Sequence, residues 1–370
     1  MKIADVKVNV FTHKTRPFRF RDGFPAYKGQ LDVLAVRICT DEGVEGHSLS
    51  LACQGGGSGR ILAEMLRTVI RPVVVGEDPL QRERIWQKIW DYDTLAFLPI
   101  YAQGPIDVAL WDLGGKVAGM PIYQMLGGYR DKVLAYASTL TLPCVEDYGP
   151  HALELKAHGF KAIKLHVWGN PKKDIAAYRE VRKAVGGDYV LMFDAACAYN
   201  HEEALWVGKQ LEEIGCYFYE SPLRDYDLAG MRDLADQLTV PTAVAEMVSG
   251  SYFTCAQFVA FKAGDILRGD VTIKGGISPL VKLAHLCEAF GMMCEVHTGG
   301  NTYADMANLH VICAIKNCAY FEMIVPSDLR HFGLKDGPLD IDKDGYVHVS
   351  KKPGVGLELD WDKIEAETIY

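Results

Sequence analysis

Very little in this chain points toward a polymer, a membrane or an oxidising compartment. No apolar run reaches the roughly 18 residues that a bilayer span requires. The N-terminal MKIADVKVNVF alternates apolar and polar residues, where a secretory leader would carry an apolar block and a small-residue cleavage site. There is no basic block and no aromatic–basic stripe, and the formal net charge is −9, so no nucleic-acid partner and no membrane partner are expected. The ten cysteines include no C-x-x-C pair, and their frequency is far below the roughly 8–10% of disulfide scaffolds. Several stand in apolar runs such as GCYFYE and HVICAIKNC, which predicts buried, reduced thiols in a cytoplasmic protein. The Gly-rich LACQGGGSG lacks the trailing Lys-Ser/Thr of a phosphate-binding loop.

What is present is an ordinary globular composition, 49% apolar and 24% charged. The length suits one large domain of about 200–250 residues and a smaller one. In the first part, MKIADVKVNVF and LDVLAVRICTDEG alternate at period two and predict strands. GRILAEMLRTVIRPVV, DPLQRERIWQKIWDY and GPIDVALWDLGGKVAG place apolar residues three and four apart and predict helices. The segment reads as α+β.

After about residue 130 the pattern changes. Eight short apolar runs (VLAYAS, KAIKLH, YVLMFD, CYFYE, TAVAE, DILRGD, MMCEVH and CAYFEM) alternate with helix-length amphipathic stretches. NHEEALWVGKQLEEIG is one such helix, with Asn200 as N-cap, Glu203 three residues on and Gly215 at the end. Eight strands over about 190 residues fit a (β/α)₈ barrel. An open doubly wound sheet is the alternative, but its G-x-G-x-x-G first turn is missing.

The strand ends carry the chemistry. The second run ends in Lys164 and His166, the third in Asp194, the fourth in Glu220 and the fifth in Glu246. The sixth ends in Asp270, the seventh in His297 and the eighth near Glu322. From Asp194 onward the steps are 26, 26, 24, 27 and 25 residues, close to one βα unit each. Any one charge at a loop start is as well explained by solvation. As a set they belong together, because barrel strand ends converge on one mouth. Asp194, Glu220 and Glu246 are hard oxygen donors without His or Cys, a set that favours Mg²⁺ over zinc. Lys164 and His166 lie two apart on one strand and so share a face. Asp270 can fix the tautomer of His297.

On these motifs the chain resembles the mandelate racemase-type subgroup of the enolase superfamily, in its mandelate racemase/muconate lactonizing enzyme family, over essentially its whole length. PIDVALWDLGGKVAGMPIYQMLGG is similar to the segment joining cap to barrel. FKAIKLH is similar to the second-strand acid/base motif. MFDAA, YFYESPL and AVAEM resemble the metal-ligand strands, and GDVTIKGGIS and CEVHTGG the Asp–His strands. The resemblance implies a modified (β/α)₈ TIM barrel over 131–325 and an α+β capping domain over 1–130. The 326–370 segment then returns to the cap. It implies Mg²⁺ (or Mn²⁺ as substitute) held by Asp194, Glu220 and Glu246. It assigns Lys164 to the substrate carboxylate, His166 and His297 to opposite faces of the substrate, Asp270 to orienting His297, and Glu322 to a hydrogen bond with the carboxylate. Tyr27 and Gln54, in cap loops that include the 54–58 stretch, would select substrate. The expected partner is a small-molecule carboxylate, and the expected assembly a homo-oligomer.

Four positions depart from the subgroup's usual pattern. The second strand reads Lys-x-His where Lys-x-Lys is common. Ala196 stands where Asn is frequent, Ser221 where a second Glu is common and Ala245 where Gly is common.

The implied reaction removes a proton next to a carboxylate and stabilises the enediolate with cationic groups. Enolase-superfamily sites are themselves a standard illustration of that pairing of a Lys or His base with Mg²⁺. The expectation is a dehydratase of an acid sugar, aldonate or aldarate, giving a 2-keto-3-deoxy acid; a five-carbon aldonate is one candidate. Arg19, Arg21, Asp22, Tyr27, Lys28 and Gln54 suit a hydroxyl-rich ligand. Racemisation or epimerisation of a 2-hydroxy acid, cycloisomerisation of a sugar-acid lactone, and a catalytically silent metal- or carboxylate-binding barrel are the alternatives. Which of Lys164 and His166 is the base stays open.

Overall fold

The computed structural model describes residues 1–23, 29–50, 53–54 and 58–370. Alternation builds its first layer. On β1 (Ile3–Lys14), Val6, Val8 and Val10 turn to one buried face while Lys7 is exposed. β2 (Gln30–Thr40) pairs antiparallel with β1, with β3 (Glu45–Leu49) and with β4 (Cys53–Gln54). Period-two alternation marks β2 as a strand, and it is buried from Leu31 through Val36. Both of its faces are covered. Leu34, Val36 and Ile38 join Leu66, Ile89 and Leu110 in the core of this layer, whereas Leu31, Val33 and Ala35 join the core of the barrel.

The helices of this layer are α1 (Ser58–Glu64), α2 (Arg71–Val74), α3 (Arg82–Ala96), α4 (Gly104–Ala118) and α5 (Ile122–Met125). Where the sequence reads one helix over 59–74, a π-helical turn, Met65–Ile70, separates α1 from α2. Pro72 has no N–H to give the carbonyl of Thr68, so the ordinary ladder cannot run through. The N–H of Arg71 donates instead to the carbonyl of Leu66.

Eight parallel strands follow: β5 (Lys132–Ser138), β6 (Ala162–His166), β7 (Val190–Asp194), β8 (Tyr219–Glu220), β9 (Thr242–Val244), β10 (Ile266–Gly269), β11 (Met293–Val296) and β12 (Tyr320–Ile324). Between them stand α6 (Tyr148–His158), α7 (Pro171–Val185), α8 (His201–Ile214), α9 (Leu228–Gln237), α10 (Ser251–Phe261), α11 (Ile277–Ala289) and α12 (Thr302–Ala314). The strand order β12-β5-β6-β7-β8-β9-β10-β11 is a nearly closed barrel, not the open doubly wound alternative. Among the described residues no backbone ladder joins β11 to β12. Cys294 donates from its N–H to the carbonyl of Asn317 at 2.7 Å. The buried Glu295 carboxylate accepts from the N–H groups of Ala319 (2.9 Å) and Tyr320 (3.3 Å) and covers the seam.

On α8 the Asn200–Glu203 capping box forms and Gly215, at φ 87°, ends the helix. β13 (Tyr346–His348) pairs antiparallel with β5. The chain then closes through α13 (Trp361–Ala366) onto β1, where Ile369 N–H donates to Val10 O at 2.7 Å. Cys39, Cys144, Cys197, Cys216, Cys255, Cys287, Cys294, Cys313 and Cys318 are free. Among the described residues no helix is long and apolar enough to cross a membrane.

Candidate active site

Strand register assembles the site. His166 lies opposite Asp194, and Asp194 opposite Glu220, across β6, β7 and β8. Asp270 and His297 follow β10 and β11 by one residue, and Glu246 follows β9 by two. Glu322 differs slightly from expectation: it is in the middle of β12, not at its end.

Four side chains from alternate strands form a ring inside the barrel. Lys164 on β6 meets Glu220 on β8 (Nζ to Oε2, 2.6 Å). Glu220 meets Arg268 on β10, Arg268 meets Glu322 on β12 (Nη2 to Oε2, 2.5 Å), and Glu322 returns to Lys164 (Oε1 to Nζ, 2.7 Å). Alternate strands contributing four side chains to one layer is the usual way a (β/α)₈ barrel fills its interior. Here the layer is charged, with signs alternating around it. Against the desolvation of complete burial, Glu220 and Glu322 hold the Lys164 ammonium well above the ordinary lysine value. Burial acts on Glu322 too, yet Lys164 and Arg268 hold its carboxyl well below the usual range. Both oxygens of Glu322 therefore accept from cations. Lys164 does not line the cavity above the ring.

That cavity, about 520 Å³, is lined by His166, Asp194, Glu246, His297 and Glu322 among others, within the usual size range of small-molecule sites. His166 Nδ1 is 2.7 Å from the carbonyl of Thr139 and its Nε2 is 2.9 Å from Asp194 Oδ2. A carbonyl only accepts, so Nδ1 carries a hydrogen and Nε2 is the nitrogen that can gain or lose one. His297 is arranged alike. Its Nδ1 is 2.5 Å from Asp270 Oδ2, leaving Nε2 toward the cavity, 3.4 Å from Glu246 Oε1. Asp270 is fixed through its other oxygen by the N–H groups of Thr272 (2.6 Å) and Ile273 (2.9 Å).

The three carboxylates expected to hold a cation meet at this cavity and at the ring beneath it. Burial, and then the nearby Asp194 carboxylate, push Glu220 well above the usual range in spite of Arg268. Burial likewise raises Glu246. Asp194 is held low despite burial by Lys164 and His166. Oε1 of Glu220 contacts Arg268 as an ion pair but receives no aligned hydrogen bond. Among the described residues no group of three or more His, Cys, Asp or Glu side chains is already drawn into coordinating positions; the acids are engaged by Lys164, His166, Arg268 and His297 instead. The donor set still fits a hard divalent cation. It is all oxygen, it is crowded with like charge, and one buried oxygen lacks a hydrogen-bond donor.

The loops that hold these acids are strained where the sequence departs from the subgroup. Ala196, Ser221 and Ala245 have φ of 47°, 45° and 65°, and Cys197 has 58°. These are left-handed conformations that Gly and Asn adopt at lower cost. The loop bearing Glu246 is gripped from two sides. Lys274 Nζ donates to the carbonyls of Ala245 (2.7 Å) and Val248 (3.0 Å). Asp225 accepts from the N–H groups of Ala245 (3.2 Å) and Met247 (2.7 Å).

Residues 6–127 match the mandelate racemase / muconate lactonizing enzyme N-terminal domain, and residues 147–363 match the enolase C-terminal domain-like family. The chain belongs to the mandelate racemase/muconate lactonizing enzyme family of the enolase superfamily. It is 30% identical over 341 residues to arabinonate dehydratase of Saccharolobus solfataricus, covering 89% of this chain and 88% of that one. A solved D-glucarate dehydratase from Agrobacterium tumefaciens, complexed with magnesium, superposes with TM-score 0.91 at 36% identity over 100% of both chains. N-succinyl-L-Arg/Lys racemase of Bacillus cereus is 26% identical over 91% of this chain and 90% of its own. This family therefore gathers dehydratases and racemases at similar distance from this chain.

Two expected substrate residues cannot be placed: Tyr27, and the Gly-rich 55–57 stretch with the side chain of Gln54, lie outside the described residues, as does Lys28. Of the other cap residues, Arg19 lines the cavity with Phe20, while Arg21 Nε donates to the carbonyl of Ala196 at 2.8 Å. Asp22 pairs with Arg19 at 2.8 Å. Sequence reasoning passed over Arg268, Lys274 and the rim arginines Arg224 and Arg330. Arg268 had a signal. It stands two residues before Asp270 on one strand, the same relation that singled out Lys164 and His166.

Proposed function

We propose that this chain is a Mg²⁺-dependent acid-sugar dehydratase. The observation that carries the reading is a pair of histidines at one cavity, each with Nδ1 tied to an acceptor and Nε2 turned to the interior: His166 against Thr139 and His297 against Asp270. Their strands, β6 and β11, are well separated around the barrel, which supports approach to a substrate from two sides.

In this reading Asp194, Glu220 and Glu246 would hold a divalent cation, Mg²⁺ or Mn²⁺ as substitute, which when bound would supply positive charge where the enediolate develops. Lys164 supports the same charge from the ring. Its ammonium is enclosed by Glu220 and Glu322 and does not line the cavity, so in this reading the second-strand base is His166. His166 Nε2 takes the α-proton, and the C–H electron pair enters the enediolate. His297, as imidazolium, gives its Nε2 proton to the β-hydroxyl as the C–O bond breaks, and water leaves. The enol that remains tautomerises to a 2-keto-3-deoxy acid. Asp270 stabilises the charged form of His297. Glu322 is assigned to holding Lys164 and Arg268 in place, because both its oxygens are already accepting.

The same two histidines would also serve a racemase of a 2-hydroxy acid, and the apolar wall of Met247, Val248, Ile273 and Ile324 favours that second reading. Proton NMR in D₂O over an acid-sugar library separates them. Formation of a 2-keto acid supports dehydration. Inversion of the α-centre without 2-keto acid would overturn it.

A further inference from the structure

The cavity is lined by buried acids at the strand ends, Asp194 and Glu246, and by three arginines from separate loops: Arg19 between β1 and β2, Arg224 after β8 and Arg330 after β12, of which Arg19 and Arg224 reach solvent. Arg224 is exposed; its carbonyl accepts from Asp227 N–H at 2.9 Å, and its guanidinium makes no hydrogen bond or ion pair among the described residues. The acids next to it in sequence are spent elsewhere. Asp225 turns inward to the N–H groups of Ala245 and Met247, and Asp227 caps α9 through Gly230 N–H at 2.9 Å.

Arg330 is held in place by Thr298, with the Asp305 carboxylate partly offsetting its charge. Its Nη1 donates to Thr298 Oγ1 at 2.7 Å, and that hydroxyl spends its own proton on Asp305 Oδ1, also at 2.7 Å. Thr298 directly follows His297, so Arg330 is set beside the histidine end of the cavity. Among the described residues Arg19 pairs with Asp22 alone, and both are about half exposed, an arrangement that is weak and screened by solvent. Burial, and then the positive charge of Arg224, lower the Arg21 guanidinium; like charges therefore gather at this rim. A guanidinium has donors and no acceptor. A sugar hydroxyl accepts from one at a single oxygen, whereas a carboxylate accepts through two oxygens in the fork and brings the opposite charge.

We propose that the solvent-reaching Arg224, with Arg19, binds a second carboxylate at the end of the substrate away from the reacting carbons, so that the substrate is a dicarboxylic acid sugar and not a monoacid. The proposal rests on the acid-sugar dehydratase reading above. Arg224 is then a specificity-determining residue for the distal end and takes no part in proton transfer.

The test compares aldarates with aldonates of matching configuration, using Mg²⁺-loaded enzyme and 2-keto acid detection. The aldarate is expected to be favoured at least tenfold in kcat/KM. Arg224→Gln should reduce that preference at least tenfold, chiefly through KM, and Arg224→Lys should restore part of it. Preference for aldonates, or a preference that Arg224→Gln leaves unchanged, overturns the proposal while the dehydratase reading stands. If no acid sugar yields a 2-keto acid, the dehydratase reading fails, and calorimetry still decides the rim. Adipate and hexanoate have equal chain length and differ by one distal carboxylate. Adipate should bind at least tenfold more tightly, and lose that advantage in Arg224→Gln. Equal affinity for the two overturns the distal carboxylate site.

Discussion

Arg268 donates to Glu322 across the barrel interior, Nη2 to Oε2 at 2.5 Å, with its side chain fully buried. With Lys164 and Glu220 the two close a ring in which each cation touches two anions and each anion two cations. The ring forms the layer on which the proposed proton-transfer groups rest. Its energetics follow from burial: intact, it offsets the desolvation of four charges, and broken, it strands them.

Removing the Arg268 cation should therefore cost stability more than chemistry alone suggests. Arg268→Met leaves Glu220 and Glu322 facing Lys164 only, and should lose about 3–5 kcal/mol in urea unfolding. Arg268→Lys keeps the charge without the fork and should lose less. A loss below about 1 kcal/mol for Arg268→Met would show that the ring is not the stabilising unit its geometry implies.

The metal assignment is best probed outside the ring. Glu246 contacts Arg268 only at 3.4 Å, so Glu246→Gln should remain folded. Calorimetric Mg²⁺ binding should weaken at least tenfold, since a neutral oxygen replaces an anionic one. Turnover by the unaltered enzyme should vanish with a chelator and return with Mg²⁺ or Mn²⁺. Full turnover in metal-free enzyme would remove the cation from the mechanism.

The two histidines should separate by isotope exchange. His297→Asn is expected to abolish 2-keto acid formation yet keep α-proton exchange in D₂O, because His166 still takes the proton. His166→Ala should stop the exchange itself. Exchange that persists in His166→Ala would move the base to His297.

Left-handed backbone at Ala245, φ 65°, carries a cost that glycine relieves. Ala245→Gly should raise stability by about 1 kcal/mol, the penalty of a Cβ in that region. Unchanged or reduced stability would mean that the grip of Lys274 and Asp225 on this loop already absorbs the strain.

A pH effect is expected from Asp107, which joins α4 to α11 by accepting from Ser278 N–H at 2.9 Å and Ser278 Oγ at 2.7 Å. Burial raises its pKa from 3.8 to about 6. Between those values the folded state binds more protons than the unfolded state, so this group makes stability fall as pH rises from about 4 to about 6. The penalty above pH 6 is roughly 3 kcal/mol. Asp107→Asn should flatten that part of the stability–pH curve, and an unaltered slope would assign the dependence to other groups.

Much of this was readable in the chain. Period-two runs, helical spacing and the even recurrence of charged strand ends were enough for the barrel and for setting Asp194, Glu220, Glu246, Asp270 and His297 at its strand ends, because strand alternation and one βα unit per step constrain where such residues can stand. The burial of both faces of β2 was not legible, because period-two alternation marks a strand and not what packs on its second face. The π-helical turn was hidden because apolar spacing does not register a missing N–H at Pro72.

The sequence by itself determined which residue types stand at the strand ends and therefore which chemistry is available to them. Only the tertiary structure decided their partners. Closure of the barrel brings β6, β8, β10 and β12 within contact, so Lys164 becomes a buried member of an ion-pair ring and Glu322 an acceptor from two cations. A side chain's proton affinity depends on burial and on charges within a few ångströms, and those distances, between residues up to 158 positions apart such as Lys164 and Glu322, exist only once the chain has folded.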